Sequence, residues 1–191
     1  QAEEHSQAVR RFGELLSGRE SPSSAILARA LAQARMRAAN PARAAIESLV
    51  AGTDPEALAD PLRAELYAVQ ARLAWADHNR VDALRDARAA LEHDHDNSEA
   101  HLVLADIAAD QDEDATAEYV ASLAGAHPSS RALALLSIRE EQPTDASCGY
   151  ASRYRRAAPA GQYARGVWRV LRDCRHRSGG SEEDVGDEPP E

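Results

Sequence analysis

Lysine is absent from this chain, aromatic residues are scarce, and no apolar run is long enough to cross a bilayer. Aromatic residues make up 4% of the sequence, whereas 43% of it is hydrophobic and rich in alanine. Strands favour β-branched and aromatic residues, while alanine favours closely packed helices. The composition therefore predicts an all-α protein. A membrane span is not expected, because it needs about 18 consecutive apolar residues.

Sequence features typical of an enzyme are also missing. The chain has no glycine-rich phosphate-binding loop, and no Ser, Cys or His stands in the context of a nucleophile. Its carboxylates are numerous, but none is isolated among apolar residues that would raise its pKa for acid-base chemistry. We therefore expect no catalytic residue, no cofactor and no enzymatic activity.

Two stretches carry side chains that bind metals in other proteins: His93–Asp96 with His101 nearby, and the trio Asp110, Asp112 and Asp114. In the first stretch successive residues point in different directions, and no second cluster completes a four-ligand shell. The second imitates the start of a calcium loop, but Ala115 replaces the required glycine and Ala121 replaces the bidentate glutamate. We expect both stretches to be solvated turns without a metal.

Charge is distributed unevenly along the chain. All 22 basic residues are arginine, which is typical of a GC-rich bacterial genome. Residues 1–145 carry 14 arginines and 25 acidic residues, 146–177 carry eight arginines and one aspartate, and 178–191 carry six acidic residues and no base. A nucleic-acid-binding domain is expected to be basic over a whole face. This acidic body with one basic end argues against nucleic acid as the partner.

Helical spacing of apolar residues, broken by Pro, Gly, Asn and Asp, predicts about ten helices. We expect one α-helical domain over 1–177, followed by an acidic tail over 178–191 that cannot bury enough apolar surface to fold. Within the domain the helices group into pairs at about 22–55, 59–97, 98–130 and 131–158, after a first helix at about 2–17. A last helix over 160–177 would cap the array.

The segment Val81–Ala100 closely resembles the second helix of a tetratricopeptide repeat and its exit into the next repeat. The small residues that such helices need where they cross closely are Ala83, Ala87 and Ala90. The match is to a degenerate repeat, because Ala71 stands where the family has glycine, Ala87 where it has an aromatic residue, and His95 where it has proline. The resemblance implies a right-handed α-solenoid that binds a protein or peptide partner.

In tetratricopeptide repeats the first helix of each unit lines a concave groove. By this resemblance, the groove-facing positions are Glu65, Ala68, Arg72, Trp75, Glu99, Leu102, Asp106 and Ala109. The residues predicted to bind a partner are Glu65, Arg72, Trp75, Leu102 and Asp106. We expect Trp75 with Arg72 to be the anchor, because interface energy concentrates in aromatic residues and arginine. The alternative is that Trp75 packs in the core between repeats.

The basic end is a second candidate site, because its arginines alternate with Tyr150, Tyr154, Tyr163 and Trp168. Guanidinium groups beside aromatic rings bind anionic strands and surfaces. The residues predicted to form an anionic-partner patch are Arg153, Arg156, Arg165, Arg169 and Arg172. The alternative is that Ala164, Val167, Trp168, Leu171 and Cys174 form a core-facing stripe. The arginines are then the solvent face of a capping helix.

The two cysteines, Cys148 and Cys174, would join the last two helices if they pair. With a turn near 158–161 they lie about 10 and about 15 residues from it, a mismatch of roughly 7 Å along the helices. Pairing therefore requires Cys148 to lie in a loop, and the alternative is two buried free thiols. A disulfide favours an oxidising compartment. Gln1 follows either a removed signal peptide or a trimmed start.

These patterns together predict a non-catalytic scaffold or adaptor that binds a protein or peptide partner in a concave groove. The cysteines and Gln1 favour a periplasmic or secreted protein in cell-envelope or secretion assembly, with a cytoplasmic location as the alternative. A different function is also consistent with the sequence. In that hypothesis the chain is a regulatory or sensor domain of a larger protein, and its Arg-rich C-terminal helices dock an anionic partner.

Overall fold

The computed structural model describes residues 26, 29–31, 33, 39–52, 54–124, 129–140 and 142–177. These residues form helices and loops and include no strand, so the all-α prediction is confirmed. The helices whose bounds the structure describes are α1 (Ala39–Gly52), a 3-10 helix (Pro55–Ala57), α2 (Asp60–Ala76), α3 (Arg80–His93), α4 (Ser98–Asp110), α5 (Thr116–Ala121), α6 (Ser130–Ile138), α7 (Asp145–Ala157) and α8 (Ala164–Arg177). The helix predicted at about 2–17 and the tail over 178–191 lie outside the described residues.

Helix starts follow side-chain caps that the sequence supplies. The residues Asn79, Asn97, Ser129 and Thr144 each accept a hydrogen bond from the backbone N–H three residues on. Such a bond satisfies an amide that the helix itself leaves without a partner. Helix α2 has no side-chain cap and instead carries Pro61 in its first turn, where a missing N–H costs nothing.

The α2–α3 contact is built from alanine. Ala68 and Ala71 of α2 pack against Ala83, Ala87 and Ala90 of α3, and all five side chains are fully buried. The predicted small packing positions in α3 are therefore confirmed. A larger side chain at any of these positions would separate two helices that touch through methyl groups.

Contacts join helices that are neighbours along the chain, from α1–α2 to α7–α8. Substantial contacts also join α2 to α4 and α6 to α8. The predicted ranges 59–97, 98–130 and 131–158 each contain two helices, whereas the last helix begins at Ala164 and not near residue 160. The right-handed solenoid geometry stays a prediction. None of the described helices is long and apolar enough to cross a membrane.

A disulfide between Cys148 and Cys174 joins α7 to α8, with the two Cα atoms 6.0 Å apart. The predicted pairing is confirmed, but the expectation that Cys148 lies in a loop is wrong, because it lies within α7. The connecting turn extends over residues 158–163. Cys148 is therefore nine residues from the end of α7 and Cys174 ten residues from the start of α8, so the helical offset disappears.

Candidate functional site

Some of the residues that were predicted to face a groove are buried inside the fold. Arg72, Leu102 and Asp106 are 8%, 3% and 4% exposed, whereas Glu65 and Trp75 are half-buried. Leu102 packs in an apolar cluster with residues of α5 and α6, and Trp75 packs against the alanine cluster between α2 and α3. The structure thus brings Arg72 and Asp106 together, but as buried residues.

Arg72 connects α2 to α4 through two buried carboxylates. Its Nε donates a hydrogen bond to Oε1 of Glu99 over 2.5 Å, and its Nη1 donates one to Oδ2 of Asp106 over 3.0 Å. Glu99 and Asp106 lie seven residues apart on α4, which places them two turns apart on one face. Burial disfavours the charged guanidinium, but the two carboxylates outweigh that cost and raise the pKa of Arg72.

Asp106 is the centre of this network. Its Oδ2 also accepts a hydrogen bond from Nη1 of Arg131 on α6, and its Oδ1 accepts one from the hydroxyl of Tyr119 over 3.3 Å. Arg131 donates in addition from Nε to the Tyr163 hydroxyl over 3.2 Å. One carboxylate therefore links α2, α5 and α6 to α4. Two arginines balance two acids here, and this pairing is what makes buried charge tolerable.

The predicted groove residues did not include Arg131, Tyr119 or Tyr163, which complete this network. They lie 13 to 57 positions from Asp106 along the chain, and nothing local marks them. The available signal was the pair Glu99 and Asp106 on one helix face, since two buried carboxylates require cations nearby.

Tyr119 gives the network a pH dependence. Burial, with the neighbouring Asp106 carboxylate, raises the pKa of Tyr119 to about 12. An unfolded tyrosine titrates at about 10, so the neutral phenol stabilises the fold fully below pH 10, and this stabilisation is lost as the pH rises toward 12. We expect the free energy of unfolding to fall by about 2 kcal/mol over that range through this residue.

Urea unfolding followed by circular dichroism from pH 8 to pH 12 measures this loss in the wild type and in Tyr119→Phe. The variant should start less stable, since it lacks the hydrogen bond to Asp106, and should then lose less stability with rising pH. Parallel pH dependences in the two proteins would show that Tyr119 is not responsible.

The five arginines Arg153, Arg156, Arg165, Arg169 and Arg172 are all exposed, and they are called the Arg face below. Buried Ala164, Val167 and Leu171 hold the opposite side of α8 against the core, so this part of the predicted stripe is confirmed. Nε of Arg172 lies 3.8 Å from Oδ1 of Asp173 and forms an ion pair with it. Within the described part of the chain, the other four arginines make no ion pair.

One cation and one aromatic ring do meet beside the Arg face. The guanidinium of Arg155 lies 5.7 Å from the ring centroid of Trp168, within the range of a cation–π contact. Trp168 itself is half-buried. Part of its ring therefore remains at the surface, where the guanidinium of Arg155 rests on it.

In both stretches with metal-ligand side chains, some of these side chains make other contacts. His93 stacks on Tyr67 with ring centroids 5.8 Å apart, while His101 contacts Glu118 through Nδ1 over 2.7 Å. Asp114 accepts hydrogen bonds from the backbone and side chain of Thr116. Among the residues that the structure describes, no group of three or more His, Cys, Asp or Glu side chains is placed to hold a metal ion.

Comparison of the chain with protein-family models, with curated proteins and with solved structures found no match.

Proposed function

We propose that the chain is a non-catalytic module that binds a protein partner, and that the Arg face docks an acidic segment of that partner. One observation carries the proposal. Three of the four charged residues at the predicted groove are neutralised inside the fold by one network, namely Arg72, Glu99 and Asp106. By contrast, Arg153, Arg156, Arg165 and Arg169 are exposed and make no ion pair with any described residue.

Arginine is well suited to this role, because its planar guanidinium can bind a carboxylate through two parallel hydrogen bonds. The disulfide fixes α7 against α8, so the arginines of both helices are held in one arrangement before the partner arrives. Preorganisation of this kind reduces the entropy lost on binding. The rest of the domain is acidic, which repels an acidic partner from other surfaces and favours docking at this end.

The resemblance to tetratricopeptide repeats supports a second surface for the same function, on the first helix of the pair α2–α3. Glu65 and Trp75 remain half-exposed there, so a partner could reach them without opening the core. The disulfide fits an oxidising compartment. We therefore propose a periplasmic or secreted scaffold in envelope or secretion assembly, with a sensor domain of a larger protein as the alternative.

The test compares three variants of the oxidised chain for capture of proteins from an extract of the host cell envelope. The first variant replaces Arg153, Arg156, Arg165 and Arg169 by Gln, the second combines Glu65→Arg with Trp75→Ala, and the third, a control, combines Arg80→Gln with Arg88→Gln. We expect one partner to be retained by wild type, control and groove variant, and lost with the first variant.

A defined probe accompanies the capture, namely fluorescein-labelled hexaglutamate. Its affinity measured by fluorescence anisotropy at low salt should fall by about tenfold or more in the four-arginine variant, because each exposed pair contributes up to about 1 kcal/mol. Loss of the captured partner only with the groove variant would transfer the function to α2. Equal retention by all variants, with unchanged hexaglutamate affinity, would refute both surfaces.

A further inference from the structure

A cavity of about 510 Å³ lies between α7 and α8, the two helices that also carry the Arg face. Its lining includes an apolar part, formed by Leu171 and the Cys148–Cys174 disulfide, and a charged part with Arg155, Arg175, Arg177 and Asp145. The guanidinium of Arg177 already donates hydrogen bonds to the Asp145 carboxylate and the Pro143 carbonyl. The cavity, called the disulfide cavity below, therefore combines an apolar wall with a lining of three arginines and one carboxylate.

The segment 178–191 begins at the residue after Arg177, which lines this cavity. Six of its 14 residues are acidic and none is basic. Apart from its prolines, the only large apolar residue in the segment is Val185, which follows Glu182, Glu183 and Asp184 and precedes Asp187 and Glu188. This order of acidic, apolar and acidic side chains complements a cavity with an apolar wall between arginines.

The geometry of the chain permits a return to the cavity. Val185 is eight residues beyond Arg177, so an extended chain could reach about 27 Å at 3.3–3.6 Å per residue. That exceeds the length of α8, about 21 Å for its 14 residues at 1.5 Å each. Gly179 and Gly180 stand directly after the helix, and glycine adopts the left-handed conformations with which a chain reverses at a helix end.

We propose that residues 182–188 dock on the disulfide cavity and the Arg face of their own chain, with Val185 against Leu171 and the disulfide, and so compete with the acidic partner. The inference rests on the proposed function, because the Arg face that would bind the partner is part of the surface on which the segment docks. A tethered segment experiences an effective concentration on the order of millimolar. A segment with a Kd of about 100 μM for the site would then weaken binding of a competing acidic peptide about tenfold.

The experiment uses a fluorescein-labelled peptide of residues 181–191 and two oxidised proteins, the full chain and a chain ending at Arg177. All described helices lie before residue 178, and circular dichroism confirms that the shortened chain retains them. By anisotropy at about 50 mM salt, at which the Debye length exceeds 10 Å, we expect the peptide to bind the shortened chain about tenfold more tightly than the full chain.

Matched variants test each part of the docking. In the peptide, Val185→Ser and, separately, Glu182→Gln with Glu183→Gln should each weaken binding to the shortened chain by threefold or more. In the shortened chain Arg155→Gln should weaken it similarly, while Arg80→Gln, on the exposed surface of α3, should leave it unchanged.

Hexaglutamate distinguishes failure of this inference from failure of the proposed function. If hexaglutamate binds the shortened and the full chain equally, and the peptide of 181–191 shows no preference, the segment does not occupy the site and the inference is overturned while the Arg face stands. If neither probe binds the shortened chain, the Arg face is not an acidic docking surface and both proposals fail. A tenfold preference of both probes for the shortened chain supports both.

Discussion

Replacing Asp106 by alanine should lower the free energy of unfolding by about 3–5 kcal/mol, because it removes one partner of a buried charge network. The carboxylate is 4% exposed and accepts hydrogen bonds from Arg72, Arg131 and Tyr119. Without it, the Arg72 guanidinium stays buried with half of its countercharge. The cost of an unpaired buried charge exceeds the modest worth of an ion pair on the surface.

Urea unfolding at pH 7, followed by circular dichroism, measures the loss. Asp110→Ala is the matched control, since Asp110 is an exposed acid on the same helix, and we expect it to change stability by no more than about 0.5 kcal/mol. A double-mutant cycle with Arg72→Ala should give a coupling of about 1–3 kcal/mol between the two residues. A cost below about 1 kcal/mol for Asp106→Ala would mean that water reaches the network and replaces the carboxylate.

The buried network also shows which of its features can be predicted from the sequence and which cannot. The resemblance to tetratricopeptide repeats puts Arg72 of α2 in one predicted groove with Glu99 and Asp106 of α4, and the structure joins these three side chains. The resemblance does not fix how far apart the two helices lie. That distance depends on contacts between helices distant in sequence, among them the α4–α6 ion pair of Asp106 with Arg131. Part of the surface that was predicted to line a groove is therefore buried between helices.

The end of the turn between α7 and α8 likewise depends on a contact that the sequence does not reveal. Gly161 is a local stop signal, and it predicts a turn that ends near that residue. In the structure the hydroxyl of buried Tyr154 accepts a hydrogen bond from the backbone N–H of Tyr163 over 3.2 Å. A Cβ atom on Gly161 would lie too close to that hydroxyl for a side chain at this position. The bond between Tyr154 and Tyr163 accompanies a start of α8 at Ala164, and nothing local in the sequence reveals it.

Breaking the disulfide should lower the free energy of unfolding by about 3.5 kcal/mol, the value expected for a crosslink that closes a loop of this size. Cys148 and Cys174 are separated by 26 positions and join the two helices that carry the Arg face. The main described contacts of α8 are with α6 and α7, so the reduced chain should open first at α8. Hydrogen exchange should accordingly increase there more than in α2 or α3.

The measurement is urea unfolding with and without a phosphine reductant, with thiol titration to verify reduction. The variant with Cys148→Ser and Cys174→Ser should match the reduced wild type and should not respond to the reductant. Equal stability of the oxidised and reduced wild type would show that packing of Val167 and Leu171 alone holds α8 in place. If the crosslink instead provides the expected stability, hexaglutamate should bind the reduced chain more weakly, because the arginines of α7 and α8 are then no longer held in one arrangement.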